Sequence, residues 1–266
     1  MKVRDVAESF QRNGLLLYAS AISFQVLTAV VPLALFLLGL MGFLSLTEIW
    51  EKDIRPELVD SVSIPALAVI DDTVGKVLTS KQVFWVTLGA ALAVYQLSGA
   101  IRAAMEALNR VHETEDERPW LARQVRSVLL AIATLVLVLA AVAVIHLAPL
   151  AYGDPPAVVA VLLGIVRWAV AIALLILAVG LLVRYGPDRP QSLGWVSVGA
   201  IIVVGSWIAV SIAFLFYLTH IASYASIFGA LATVVVLLGY LYVSSITFLV
   251  GVQTDALLRA RATQAD

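Results

Sequence analysis

Arg167 is the residue whose setting most constrains its chemistry. It lies inside Ala157–Val183, a run of 27 residues that is otherwise free of charge. About 20 apolar residues suffice to cross a bilayer, so the run reads as a transmembrane helix carrying one fixed positive charge. Counted from Pro156, Arg167 lies about ten residues in, roughly 15 Å at about 1.5 Å per residue. That depth is near the middle of a hydrocarbon core about 30 Å thick. A charge there is costly unless it faces protein, water or an anion. No Asp or Glu falls in the expected membrane core. The partners left to it are helix carbonyls, Gln25, Gln96, hydroxyls, water or an anionic ligand. A guanidinium gives bidentate bonds to a phosphate, so an anion seat stands beside a neutral tie between helices.

Two further groups carry polar chemistry. Tyr240, Ser244, Thr247, Gly251 and Asp255 recur at i, i+4, i+7, i+11 and i+15, which puts them on one helix face. With Tyr217, His220 and Tyr224 they would line a polar path; alternatively, small and hydroxylated residues pack helices together. Arg102, Arg110, Arg123 and Arg126 lie on a basic, amphipathic stretch. They are candidates for gripping anionic lipid headgroups, or they are ordinary charges that set topology.

Hydrolytic chemistry finds little support. Phosphodiester cleavage needs a metal cluster or a converging acid–base pair. The three histidines, His112, His146 and His220, are far apart, and cysteine is absent. No metal site, disulfide, thiol nucleophile or cofactor is therefore expected. The acids Glu113, Glu115, Asp116 and Glu117 read as an exposed, solvated charge run, opposite in sign to RNA's needs. No nucleotide-binding loop occurs, and a net charge of −1 gives no sign of a nucleic-acid partner.

The elements that position these residues follow from composition. With 62% hydrophobic and 13% charged residues and a mean hydropathy of +1.00, an ordinary soluble domain is excluded. The hydropathy pattern predicts an all-α polytopic membrane protein, a single membrane domain over 1–266. A short polar helix (2–13) precedes six spans, over about 15–46, 83–97, 127–150, 157–183, 193–219 and 226–257. No signal-peptide pattern precedes the first span, which is expected to stay in the mature protein. Within that span Gln25, Thr28 and Pro32 share a face, and Pro32 is a candidate hinge. The second span continues as an amphipathic helix to 112. A charged link follows, in which Pro119 restarts the helix. The loop over 47–82 contains a helical repeat, Ala66, Val69, Ile70, Thr73, Val74 and Val77, suited to the membrane surface. Pro56 and Pro65 are expected to divide it, and it serves as a lid or as a simple cover. A short polar tail ends the chain.

Six spans place both termini on one side. Segments on that side carry twelve of the seventeen bases, whereas the other side carries only Lys52, Arg55, Lys76 and Lys81. The bias of Lys and Arg toward cytoplasmic loops predicts both termini in the cytoplasm and the protein in the cytoplasmic, or inner, membrane.

The residues over nearly the whole chain resemble the YihY/BrkB-type integral membrane proteins, a family once labelled ribonuclease BN. Ser23–Leu44, with Pro32, is similar to the family's first-span pattern, although Gln25 and Ala29 stand where tyrosine and serine are usual. Ser98-Gly99, Leu108-Asn109-Arg110 and Glu117-Arg118-Pro119-Trp120 resemble the family's link. Arg167-Trp168 and Tyr185-Gly186-Pro187-Asp188 resemble its Arg-Trp pair and following turn. Gly251-Val252-Gln253-Thr254-Asp255-Ala256 is similar to its closing motif, with Gln253 in place of a glutamate and Asp255 in place of an asparagine. The resemblance implies a six-helix inner-membrane protein linked to envelope integrity and to lipid or lipid-like export. The combined expectation is a translocator of an amphipathic, anionic molecule, with membrane lipids as partners and Arg167 near the centre of its site. The alternative is a non-transporting scaffold for envelope-biosynthesis partners. A membrane-embedded enzyme ranks behind both.

Overall fold

The computed structural model describes residues 3–44, 48, 50–59, 64–80, 83–114, 116–152, 156–188, 193–220 and 229–265. They form helices α1 (Val3–Arg12), α2 (Leu15–Phe43), α3 (Arg55–Val59), α4 (Ile64–Ser80) and α5 (Val83–Val111). These are followed by α6 (Trp120–Tyr152), α7 (Ala157–Tyr185), α8 (Leu193–His220) and α9 (Gly229–Ala265), and a π-helical turn at Trp50–Ile54 precedes α3. Six of them, α2 and α5–α9, are long and apolar enough to cross a membrane. The protein is an all-α, multi-pass membrane protein.

Gly14 separates α1 from α2. It adopts φ +64°, a left-handed conformation that suits glycine, and its N–H donates to the Gln11 carbonyl. α2 then runs through the buried Pro32 without interruption. Pro56 and Pro65 each occupy the second residue of a helix, where the missing N–H costs nothing; they begin α3 and α4, two separate pieces of this segment. α6 starts at Trp120, directly after Pro119 and seven residues before the expected span, so Arg123 and Arg126 belong to its first two turns. At the end of the chain, the expected polar tail is helical, α9 continuing to Ala265.

The spans pack in cyclic order, α2 on α5, α5 on α6, α6 on α7, α7 on α8, α8 on α9, and α9 back on α2. α5 leans inward and also touches α7 and α9. The α2–α5 seam is drawn tight by glycines. A methyl group on Gly89 would lie 2.6 Å from the Phe36 backbone nitrogen, and one on Gly39 would lie 3.0 Å from that of Val86. Small residues let membrane helices approach this closely. The main core gathers Leu15, Ala19, Met105, Leu108, Leu249 and Val252, among others. All lie in the half of their helices nearer the face that bears the termini. On the opposite face Trp50 and Val74 pack with Leu38, Met41 and Ile70, which seats α4 against the end of α2. An exposed Arg55–Asp71 pair, 2.9 Å apart, joins α3 to α4. The hydrogen bond from Arg55 holds the Asp71 carboxyl below its ordinary range.

Candidate functional site

Polar chemistry concentrates where α5 ends, on the face that bears the termini. The last turn of α5 closes with Glu113 in the left-handed region, φ 52°. The Thr114 N–H donates to the Asn109 carbonyl and the Glu113 N–H to that of Arg110, a pairing that satisfies helix-end carbonyls and turns the chain sharply. This turn sends Asp116 and Arg118 back over α5. Arg118 Nε lies 2.7 Å from Asp116 Oδ1 and 3.0 Å from Asp188 Oδ1, and its Nη2 donates to the Gly186 carbonyl at 3.2 Å. Asn109, itself buried, accepts from the Asp188 backbone N–H at 2.9 Å and donates to Asp116 Oδ2 at 3.4 Å. One knot thus ties the end of α5, the link and the turn after α7.

The side chains of Asp116 and Arg118 are only 12% and 13% exposed. Asp116 therefore departs from the expected solvated charge run, because an opposite charge two residues on folds over it. The hydrogen bond from Arg118 is the main reason that the Asp116 carboxyl is held below its ordinary range, against the opposing effect of burial. Glu113 and Glu117 do face solvent, and Glu115 lies outside the described residues.

Beside the knot, a cleft of about 910 Å³ opens between the second half of α5, the link and the start of α6. Arg102, Arg110, Arg123, Glu106, Tyr95 and Trp120 are among the residues that line it. Arg102 is fixed across the α5–α6 seam, its Nη1 donating to Ser98 Oγ at 3.0 Å, Gln124 Oε1 at 3.1 Å and Ser127 Oγ at 3.4 Å. Arg126 does not line the cleft. It sits within electrostatic reach of Asp188, Asp116 and the like-charged Arg118, which aligns it with the knot.

Arg167 lies away from this region, on α7. It is half-buried and shares a helix face with the buried Ala171, Ala178 and Leu182, at i+4, i+11 and i+15. That stripe is the side of α7 turned to the protein. Its Nε is shielded from solvent and has no hydrogen-bond partner among the described residues. Among the described residues, no hydrogen bond thus joins Arg167 to the other expected site residues. Gln25 packs instead against α5, where a methyl group on Gly99 would meet its Oε1 at 2.7 Å. Gln96 is half-buried on α5. The Tyr240 hydroxyl meets Ser211 Oγ at 2.8 Å, and Ser244 Oγ accepts from Trp207 Nε1 at 3.2 Å; both lie in the α8–α9 seam. Tyr217 neighbours Phe214, which also packs on Tyr240. Tyr224 lies outside the described residues. Gln253 is buried and accepts a 2.9 Å hydrogen bond from Asn13 Nδ2, fastening α1 to α9, and Asp255 is buried nearby in sequence.

The knot of Asn109, Asp116, Arg118 and Asp188 received no role from the sequence. Asn109, Arg118 and Asp188 fall within the segments that carried the family resemblance, and Asp116 directly precedes one of them; that grouping was the available signal. Comparison with known proteins agrees with the architecture. The family model described as Virulence factor BrkB matches residues 6–266. The chain is also similar to the putative ribonuclease-like protein YfkH of Bacillus subtilis (strain 168), at 25% identity over 247 residues that cover 90% of this chain and 88% of the relative. No solved structure matches it.

Proposed function

Because the chain belongs to the BrkB virulence-factor family and its described residues include six helices long and apolar enough to cross a membrane, we propose that it translocates an amphipathic, anionic, lipid-like molecule whose charged head passes Arg167. The observation that carries this reading is the setting of Arg167. A guanidinium on the protein-facing stripe of an apolar helix, with a shielded Nε that no described residue accepts from, is suited to receive an anion. The excess of Lys and Arg on the face of the termini supports a cytoplasmic orientation for that face and residence in the inner membrane. Hydrolysis is not part of the proposal. The term ribonuclease-like belongs to the relative's name, and the described residues include no group of three or more His, Cys, Asp and Glu side chains that could hold a metal ion.

The test is lipid translocation by the purified protein in proteoliposomes, with fluorescent phosphatidylglycerol as the probe. Wild type should move the lipid, Arg167→Gln should lose at least roughly tenfold in rate without loss of thermal stability, and Arg167→Lys should keep part of it. Equal rates for wild type and Arg167→Gln, or a variant that only unfolds, would make Arg167 a structural tie. That result would shift the reading to a membrane scaffold.

A further inference from the structure

We infer that the cleft between α5 and α6 seats the phosphate of an anionic phospholipid drawn from the leaflet on the face that bears the termini. This seat does not depend on Arg167, but it rests on the lipid reading above and gives the headgroup a docking place at the membrane surface. Two observations support it. The first is charge. Arg102, Arg110 and Arg123 face Glu106 and Asp116 in the lining, and Asp116 is already neutralised by Arg118. Arg110 and Arg123 enter no ion pair among the described residues, although Arg123 lies within electrostatic reach of Asp116, so the charge of Arg110 is the least committed. Arg102, oriented by Ser98, Gln124 and Ser127, supplies a third guanidinium at little further cost in side-chain entropy.

The second observation is the rim. Tyr95 and Trp120 are 63% and 70% exposed, and amphipathic rings of this kind sit at headgroup level. A volume of about 910 Å³ is ample for a phosphoglycerol headgroup and falls within the ordinary range of ligand pockets. Glu106, on the same face of α5, makes only a 3.5 Å hydrogen bond with Tyr18. It repels a phosphate and so sets the affinity below what three arginines alone would give.

Native mass spectrometry on the purified full-length protein, titrated with phosphatidylglycerol or phosphatidylcholine, tests this. Wild type should retain phosphatidylglycerol in preference to phosphatidylcholine. The Arg110→Gln/Arg123→Gln variant should bind phosphatidylglycerol roughly thirtyfold more weakly, the effect of removing two headgroup-facing arginines, with its melting temperature unchanged. Glu106→Gln should bind phosphatidylglycerol more tightly, an opposite change that misfolding does not produce. Inorganic phosphate should displace the lipid only weakly. Equal retention by wild type and the double variant, no preference over phosphatidylcholine, or full displacement by inorganic phosphate would each overturn the assignment. Arg167→Gln, run in parallel, separates the two proposals, since it should leave binding at the cleft intact whether or not translocation depends on Arg167.

Discussion

The guanidinium of Arg118 and the carboxylate of Asp188 lie 3.0 Å apart, and this contact joins the link after α5 to the turn after α7. Arg118 is also close to Asp116, so one cation holds two acids in a place where all three are largely shielded. Removing the cation leaves two carboxylates facing one another with little water. Arg118→Ala should therefore cost about 3 kcal/mol, as expected when one partner of a buried pair is deleted. Arg118→Lys should recover only part, because an ammonium lacks the planar fork that reaches both acids and the Gly186 carbonyl. Thermal unfolding in detergent measures both. A wild-type melting temperature for Arg118→Ala would show that the knot does not hold this face together.

The same knot predicts a dependence on pH. Asp116 has its folded carboxyl pKa depressed, chiefly by the hydrogen bond from Arg118. A depressed acid contributes stability that is fully present above its unfolded value, about 4, and is lost as pH falls through the folded value. The melting temperature of wild type should exceed that of Asp116→Asn by a constant margin from about pH 7 to about pH 5. Below about pH 4 the margin should shrink. A margin unchanged down to the acid end would remove Asp116 from the network.

Glu113 offers a change of opposite sign. Its φ of 52° places a β-carbon where a left-handed residue is disfavoured by roughly 1–2 kcal/mol. Its side chain is exposed, and its one ion pair among the described residues, with Arg12, is 3.9 Å long, a contact worth little at a surface. Glu113→Gly should raise stability by about 1 kcal/mol, read as a higher melting temperature. A fall would mean that the Arg12 contact outweighs the backbone strain.

Gly89 tests the packing of α2 on α5. A methyl group there would fall 2.6 Å from the backbone nitrogen of Phe36, so the helices must part. Gly89→Ala should cost about 1–3 kcal/mol, as for an overpacked core. Gly164→Ala, with open space around it, should be neutral. The ratio of folded to aggregated protein on size-exclusion chromatography distinguishes the two.

The six apolar stretches were legible because hydropathy is a property of single segments. So was the restart at Pro119, although the arginines at 123 and 126 lowered the local hydropathy and moved the expected start of α6 to 127. The inward-facing acid was not legible. Four acids lie within five residues, and composition cannot say that Asp116 turns over α5, because the knot it joins is completed by Asp188, far along the chain. Gly89 was silent for a similar reason, since a glycine in an apolar run does not announce the backbone it will touch. The Tyr240–Ser244 face was readable as a face, but Ser211 and Trp207, which meet it, belong to another helix. Arg167 was conspicuous from its own surroundings, and the structure adds that it lies on the protein-facing stripe.

The cyclic order of the spans has a consequence for the birth of the protein. α2 is made early, yet one of its flanks is covered by α9, and α1 is fastened by a residue of α9 as well. About 185 residues separate Phe43 from Gly229, so at about 5–20 residues per second that flank waits roughly ten to forty seconds for its cover. During that interval the growing chain is an unclosed arc, and lipid or an insertion factor must shield the edge that the last helix will occupy.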